Sequence, residues 1–261
     1  MSVDGPVLIT YGQTDRGLVR ETNEDAFAAA DLSTAERWRG ETAEWRTTPK
    51  GVLLAVSDGM GGAKGGEVAS ALSVEGVLEG MIRTARARPP DAHTLRQVIE
   101  RSNRRVHVEG QRAELRGMGA TLTAVLVSGE EAWVAQIGDS RAYLLRGGSI
   151  GQVTHDQSYV QMLVDAGVLT PEEASLSPKR NVILQVMGQE EVEVALGRLR
   201  LRRGDRLLLC SDGLTNVLDD ETIRALAQAP SDLAAACDDL VACTREGGAP
   251  DNVTVVLAEV A

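Results

Sequence analysis

The stretch LLAVSDGMGG, residues 53–62, ends an apolar run on a lone carboxylate, Asp58, and then gives up side chains, with glycine at 59, 61, 62 and 65. A short apolar run closed by Asp-Gly reads as a buried strand opening into a tight turn. It also reads as a place where a carboxylate and bare backbone both approach a ligand closely. The design recurs. DRLLLCSDGL closes a second apolar run with Asp212-Gly213, AWVAQIGDS closes a third with Gly138-Asp139, and GGAPDNVTVVL opens the last one with Asp251-Asn252. A fifth carboxylate, Asp25, lies in RETNEDAF.

Around these sites the chain alternates between short apolar runs and a few helical patterns. VLIT, GVLLAVS, ATLTAVLV, AWVAQI, RAYLLR, NVILQV, VEVALGRLRL, DRLLLCS and NVTVVLAEV read as strands, while residues 31–50, with Trp38 and Trp45 amid charges, read as a loop or splayed hairpin. GEVASALSVEGVLEGMI and DAHTLRQVIERSNRRVHVEG carry apolar residues at helical spacing and are separated by Pro89-Pro90. Later helices are expected after His155, in TPEEA with a capping box from Thr170 to Glu173, in DDETIRALAQ and in SDLAAACDDLVACTRE. Helices come in pairs rather than after every strand. That disfavours a parallel βαβ sheet and favours antiparallel sheets with helix pairs outside.

Composition bounds the function. The chain has 261 residues, 43% of them hydrophobic and only 3% aromatic, so a core of Val, Leu, Ile and Ala is expected. A net charge of −11 argues against binding nucleic acid, which needs a basic footprint. Cys210, Cys237 and Cys243 form no metal-binding or disulfide spacing, and no targeting or membrane-spanning stretch is apparent, so a soluble cytoplasmic protein is expected.

Any one of the aspartates alone is most simply a turn residue. Several converging from different strand ends would repel one another, an arrangement that cations between them make tolerable. Oxygen ligands without His or Cys select hard cations such as Mg²⁺ or Mn²⁺, and no EF-hand loop is present. Two such ions about 3.5–4 Å apart can present a shared water to phosphorus. Asp58 could bridge them, and the carbonyl of Gly59 could serve as a ligand because no side chain blocks it. Arg20, three residues before Asn23-Glu24-Asp25, offers a guanidinium fork for phosphate, or a simple surface pair with Glu24.

Taken together, TDRGLVRETNEDAF, LLAVSDGMGG, GMGATLTAVLV, IGDSRAYLLRGG, GDRLLLCSDGLTNVLDDETI and GGAPDNVTVVLAEV, in this order over roughly residues 8–260, resemble the PPM family, the type 2C metal-dependent serine/threonine protein phosphatases, in their compact bacterial form. The resemblance implies an α+β fold, an αββα sandwich of two antiparallel sheets flanked by helix pairs, as one phosphatase domain over 1–261 with a flap at about 155–190. It implies two core Mn²⁺ or Mg²⁺ ions, Asp58 bridging them, the Gly59 carbonyl on one, and Asp212 and Asp251 on the other. A third, weaker site would use Asp139 and Asp212, with Asn181 near a further oxygen position. Arg20 would bind the substrate phosphate, Glu24 and Asp25 would sit beside it, Asp25 orienting a water, and Asn252 would orient its neighbour. The implied partners are phosphorylated proteins and an opposing serine/threonine kinase, with the phosphatase acting as a monomer. The alternative is a catalytically weak, phosphoprotein-binding pseudophosphatase. Two departures stand out: Met60 replaces a His found after the bridging Asp-Gly in some members, and Ser177-Pro178 replaces a His-Pro. His93, His107 and His155 are expected outside the chemistry, the first two exposed.

Overall fold

The computed structural model describes residues 5–61, 65–229 and 232–261. Its central strands are apolar on both faces, a pattern that needs cover on both sides. In β5 (Val52–Ser57), Leu53 and Ala55 face one way and Val52, Leu54 and Val56 the other. The same split runs through β14 (Val253–Val260), whose Val256 and Ala258 face β5 while Val255 and Leu257 face away.

Two six-stranded antiparallel sheets result. The first runs β12 (Ala195–Arg200), β9 (Glu131–Ile137), β8 (Leu122–Ser128), β5, β2 (Ala26–Asp31), β3 (Arg37–Trp38). The second runs β11 (Ser149–Gln152), β10 (Arg141–Arg146), β13 (Arg206–Cys210), β14, β1 (Val7–Asp15), β4 (Ala43–Arg46). A two-residue ribbon pairs β6 (Gly59–Met60) with β7 (Gly119–Ala120). Helices α1 (Gly65–Ala87) and α2 (Ala92–Glu109) cover the first sheet, and α6 (Asp220–Gln228) and α7 (Leu233–Glu246) cover the second. Three apolar layers, helix–sheet, sheet–sheet and sheet–helix, hold the four tiers together. The architecture is the expected αββα sandwich. The short helices α3 (Tyr159–Asp165) and α4 (Pro171–Ser175) lie in the 155–190 segment, and Thr170 and Glu173 close the capping box at the start of α4.

Three local expectations are corrected. NVILQV is not a strand: only isolated bridges form there, Ser158 with Ile183 and, just beyond, Met187 with Ala120. Val182 and Leu184 are exposed, and the sheet edge they would need is taken by β12. Residues 31–50 are not one hairpin, because β3 pairs with β2 and β4 crosses to β1 in the other sheet. Phe27, Trp38 and Trp45 stack edge to face at this crossing and fill the end of the layer between the sheets. His107 is half-buried rather than exposed, its Nδ1 donating to the Gly188 carbonyl at 2.9 Å.

Candidate active site

The strand-end aspartates meet where the two sheets come together. Asp58 leaves β5, and its backbone is pinned to the start of β8: its N–H donates to Thr121 Oγ1 at 2.9 Å, and its carbonyl accepts from the Thr121 N–H at 2.8 Å. Thr121 Oγ1 lies 2.6 Å from Ser140 Oγ, which fixes the Gly138-Asp139-Ser140 crossover from β9 in one sheet to β10 in the other. Asp212 opens α5 (Asp212–Thr215) straight after β13, and Asn216 Nδ2 donates to its Oδ2 at 2.9 Å. Asp251 immediately precedes Asn252 and β14.

Glycine is required at two of these junctions. A Cβ on Gly59 would stand 2.2 Å from the Gly66 carbonyl oxygen, and one on Gly213 would stand 1.9 Å from that of Asn252. Both close approaches draw the carboxylate-bearing turns together.

The electrostatics are those of a crowded acidic centre. Burial first, then Asp25, Asp212 and Asp139, pushes Asp58 well above the usual carboxylate range. Asp212 raises Asp58, and Asp58 in turn pulls Asp212 down. Burial also raises Asp212. It raises Asp139 to about 8, with help from Asp212 and Asp156, and Asp25 to about 7 against the pull of two hydroxyl donors. Those donors are Ser211 Oγ and Thr254 Oγ1, both on Asp25 Oδ2 at 2.7 and 2.6 Å. Asp25 Oδ1, Asp139 Oδ1 and Asp212 Oδ1 are buried with no hydrogen-bond partner.

Buried carboxylate oxygens without donors, among groups that repel when ionised, are a donor set that fits hard divalent cations. The set is open rather than a closed cage: among the described residues no three His, Cys, Asp or Glu side chains close on one point. An open arrangement suits Mg²⁺-type ions, which take few carboxylates and keep several waters. Arg20 pairs with Asp251 at the edge of this set, Nη2 to Oδ2 at 2.6 Å.

Arg20 therefore lies at the rim beside Asp251 rather than on Glu24, its side chain half exposed. Glu24 is placed chiefly by its backbone. Its carbonyl accepts from the Gly59 N–H at 3.1 Å and from Ser70 Oγ at 2.5 Å. Its N–H donates to Asn252 Oδ1 at 2.8 Å. Asn252 is buried and stitches the Arg20 loop as a whole, its Nδ2 donating to the carbonyls of Arg16 and Thr22 at 3.0 and 2.9 Å. Asn181 is exposed and makes no hydrogen bond among the described residues; its neighbour Arg180, with Asp139, Asp212, Arg141 and Ser158, lines a cleft of about 330 Å³. His155 pairs with Asp165 on the surface. Cys210 and Cys237 are buried, and burial pushes their thiols up to about 12, so neither is a thiolate nucleophile at neutral pH.

Sequence reasoning missed Ser211, Thr254, Thr121, Ser140 and Asn216. The available signals were a hydroxyl directly before Asp212, a Thr two residues after Asn252, and Asn four residues after Asp212 on a helical turn.

This fold and acidic centre define a class. Residues 38–257 match the family described as Protein phosphatase 2C, and the chain belongs to that family. It is 39% identical over 257 residues to the serine/threonine protein phosphatase PstP of Mycobacterium tuberculosis, covering 97% of this chain and 45% of that protein. The chain thus spans less than half the length of that relative. The structure of a Streptococcus agalactiae serine/threonine phosphatase superposes with a TM-score of 0.85 at 32% identity, covering 97% of this chain and 100% of that one. The catalytic domain of PstP in complex with two manganese ions superposes at 0.79 and 37% identity, covering 97% and 98%. No helix among the described residues is long and apolar enough to cross a membrane.

Proposed function

We propose that the chain hydrolyses phosphoserine and phosphothreonine in proteins, dependent on divalent metal, as a monomeric cytoplasmic phosphatase domain opposing a serine/threonine kinase. The observation that carries this reading is the convergence of Asp58, Asp139, Asp212 and Asp25, three of them with an unpartnered buried oxygen, beside an arginine at the rim.

Asp58 and the Gly59 carbonyl, with Asp212 and Asp251, are the residues that would hold two Mn²⁺ or Mg²⁺ ions; Asp139 and Asp212 would hold a weaker third. When bound, such ions neutralise phosphoryl oxygens and supply a nucleophilic water at neutral pH. The chain's own residues do the rest. Arg20 receives the phosphate: among the described residues only its Nη2 is engaged, so its other donors remain for a fork on two phosphoryl oxygens. Asp25 has one oxygen clamped by two hydroxyls and the other free to accept a proton or orient a water. Asn252 holds the Arg20 loop in register with Asp251. Met60 carries no proton to give the leaving alkoxide. Residues 155–190, whose helices border the cleft beside Asp139 and Asp212, act as the flap.

Nothing at the site favours the binding-only alternative, because Asp58, Asp212 and Asp251 are all in place. The test is hydrolysis of p-nitrophenyl phosphate and of a phosphothreonine peptide with chelator, Mn²⁺ or Mg²⁺. Turnover only with metal is expected; turnover in chelator, or none with either ion, would sink the reading.

A further inference from the structure

The chain is acidic overall, with 27 Lys and Arg against 38 Asp and Glu, yet residues 83–116 hold nine arginines against four carboxylates. This reversal falls on the outer surface of the α1–α2 layer. Arg88, Arg105 and Arg112 have acidic partners there. Arg83, Arg86, Arg96, Arg101, Arg104 and Arg116 are exposed, and their side chains make no ion pair or hydrogen bond among the described residues. Two of these unpaired arginines face a groove. Arg83, Arg101 and Arg105 line a cleft of about 290 Å³ between the helices, with Glu79, Thr84 and Val98. Glu79 holds only Arg105, at 3.2 Å.

We propose that this groove docks an acidic segment of the phosphoprotein substrate at a distance from the phosphorylated residue, an inference that rests on the phosphatase reading above. Guanidinium groups without partners beside a cleft match carboxylate or phosphate groups of an extended chain. The occupant is a narrow segment rather than an anionic membrane, because the cleft runs between two helices and the net charge of −11 repels a broad anionic surface. The geometry links groove and site. The first turn of α1 touches the centre at Gly59 and Glu24. Gly76 lies about 15 Å, and Arg83 about 25 Å, further along the helix at 1.5 Å per residue. An extended peptide covers that span in roughly five to eight residues.

The test uses wild type and an Arg83→Ala/Arg101→Ala double variant, neither position being part of the catalytic machinery. The substrates are p-nitrophenyl phosphate and synthetic phosphothreonine peptides carrying a block of four Glu or four Gln, placed five to eight residues to either side. Wild type should favour a Glu peptide over its Gln counterpart by about fivefold in kcat/KM at low salt, through KM, the strength of two surface ion pairs. The preference should fade at high salt and vanish in the double variant, with p-nitrophenyl phosphate turnover unchanged. No preference in wild type, or a preference that survives in the variant, overturns the proposal. Arginine-dependent sedimentation with phosphatidylserine vesicles and no peptide preference overturns it in favour of a lipid surface. Should p-nitrophenyl phosphate not be hydrolysed at all, the phosphatase reading fails separately. Docking is then judged by fluorescence anisotropy of the labelled Glu and Gln peptides, where equal binding overturns it and arginine-dependent binding of the Glu peptide upholds it.

Discussion

Asp25 shows how little of a buried carboxylate's behaviour lies in the carboxylate. One oxygen is gripped by Ser211 and Thr254, and Thr254 Oγ1 is itself 2.8 Å from Thr14 Oγ1, which accepts from Asn23 Nδ2 at 2.8 Å. This hydroxyl chain fixes where the free oxygen points. Thr254→Val keeps the shape and removes the donor, so kcat should fall about 10- to 100-fold, as for other groups that orient metal-site carboxylates. Thr254→Ser keeps the hydroxyl and should stay near wild type; equal loss in both variants would mean packing, not orientation, is what matters. On the proposed phosphate-binding role, Arg20→Ala should raise KM for phosphate esters about tenfold or more, by more than it changes Mn²⁺ affinity. Unaltered steady-state kinetics would reduce Arg20 to a surface partner of Asp251.

Among the connecting segments, the loop of residues 16–24 is tied at three points by one side chain. Asn252 bonds three backbone groups of that loop, at Arg16, Thr22 and Glu24. Asn252→Ala should cost roughly 2–3 kcal/mol at about 1 kcal/mol per bond. Thermal denaturation would then show a drop of roughly 5–10 °C in a chain of this size. KM should rise with it because Arg20 loses its support. An unchanged melting temperature would show that the loop is held elsewhere.

What the sequence reveals follows the same lines. Asp58, Asp139 and Asp212 are legible because each closes an apolar run where a strand must end, and Asp251 because it stands just before one where a strand begins. Paired helices point to antiparallel sheets with helices outside, and the four-layer αββα order is what the resemblance of the motifs implies. The strand AFAAAD is illegible because alanine carries no β preference, and NVILQV misleads because its β-branched composition finds no free sheet edge. The hydroxyl clamp on Asp25 and the stitching by Asn252 are tertiary: their partners lie 186 to 236 residues apart, and no local pattern joins them.

For the molecule as a whole, the acidic centre couples stability to pH and to metal. Asp25 and Asp139 titrate near 7 and 8 in the fold against an ordinary carboxylate value near 4, so the protonated form is the one folding favours. That contribution is complete below about pH 4 and is lost as pH rises through 7 to 8. Chelated protein should therefore melt lower at pH 8.5 than at pH 5.5, by roughly 4–8 °C for a loss of about 2 kcal/mol. Saturating Mn²⁺ should flatten or invert that slope, because the ion binds the ionised carboxylates and stabilises the fold that holds them. A chelated protein that gains stability over this range would show that the aspartates are not crowded as described.

The central claim is that strand-end carboxylates, Asp58 foremost, build a two-ion cradle in this chain. Calorimetric titration of Mn²⁺ into metal-free wild type and Asp58→Asn, with circular dichroism to show that both are folded, tests it directly. Two Mn²⁺ per wild-type chain, and loss of both tight sites in Asp58→Asn with the fold intact, is the result predicted. Retention of wild-type stoichiometry and affinity in Asp58→Asn would contradict it.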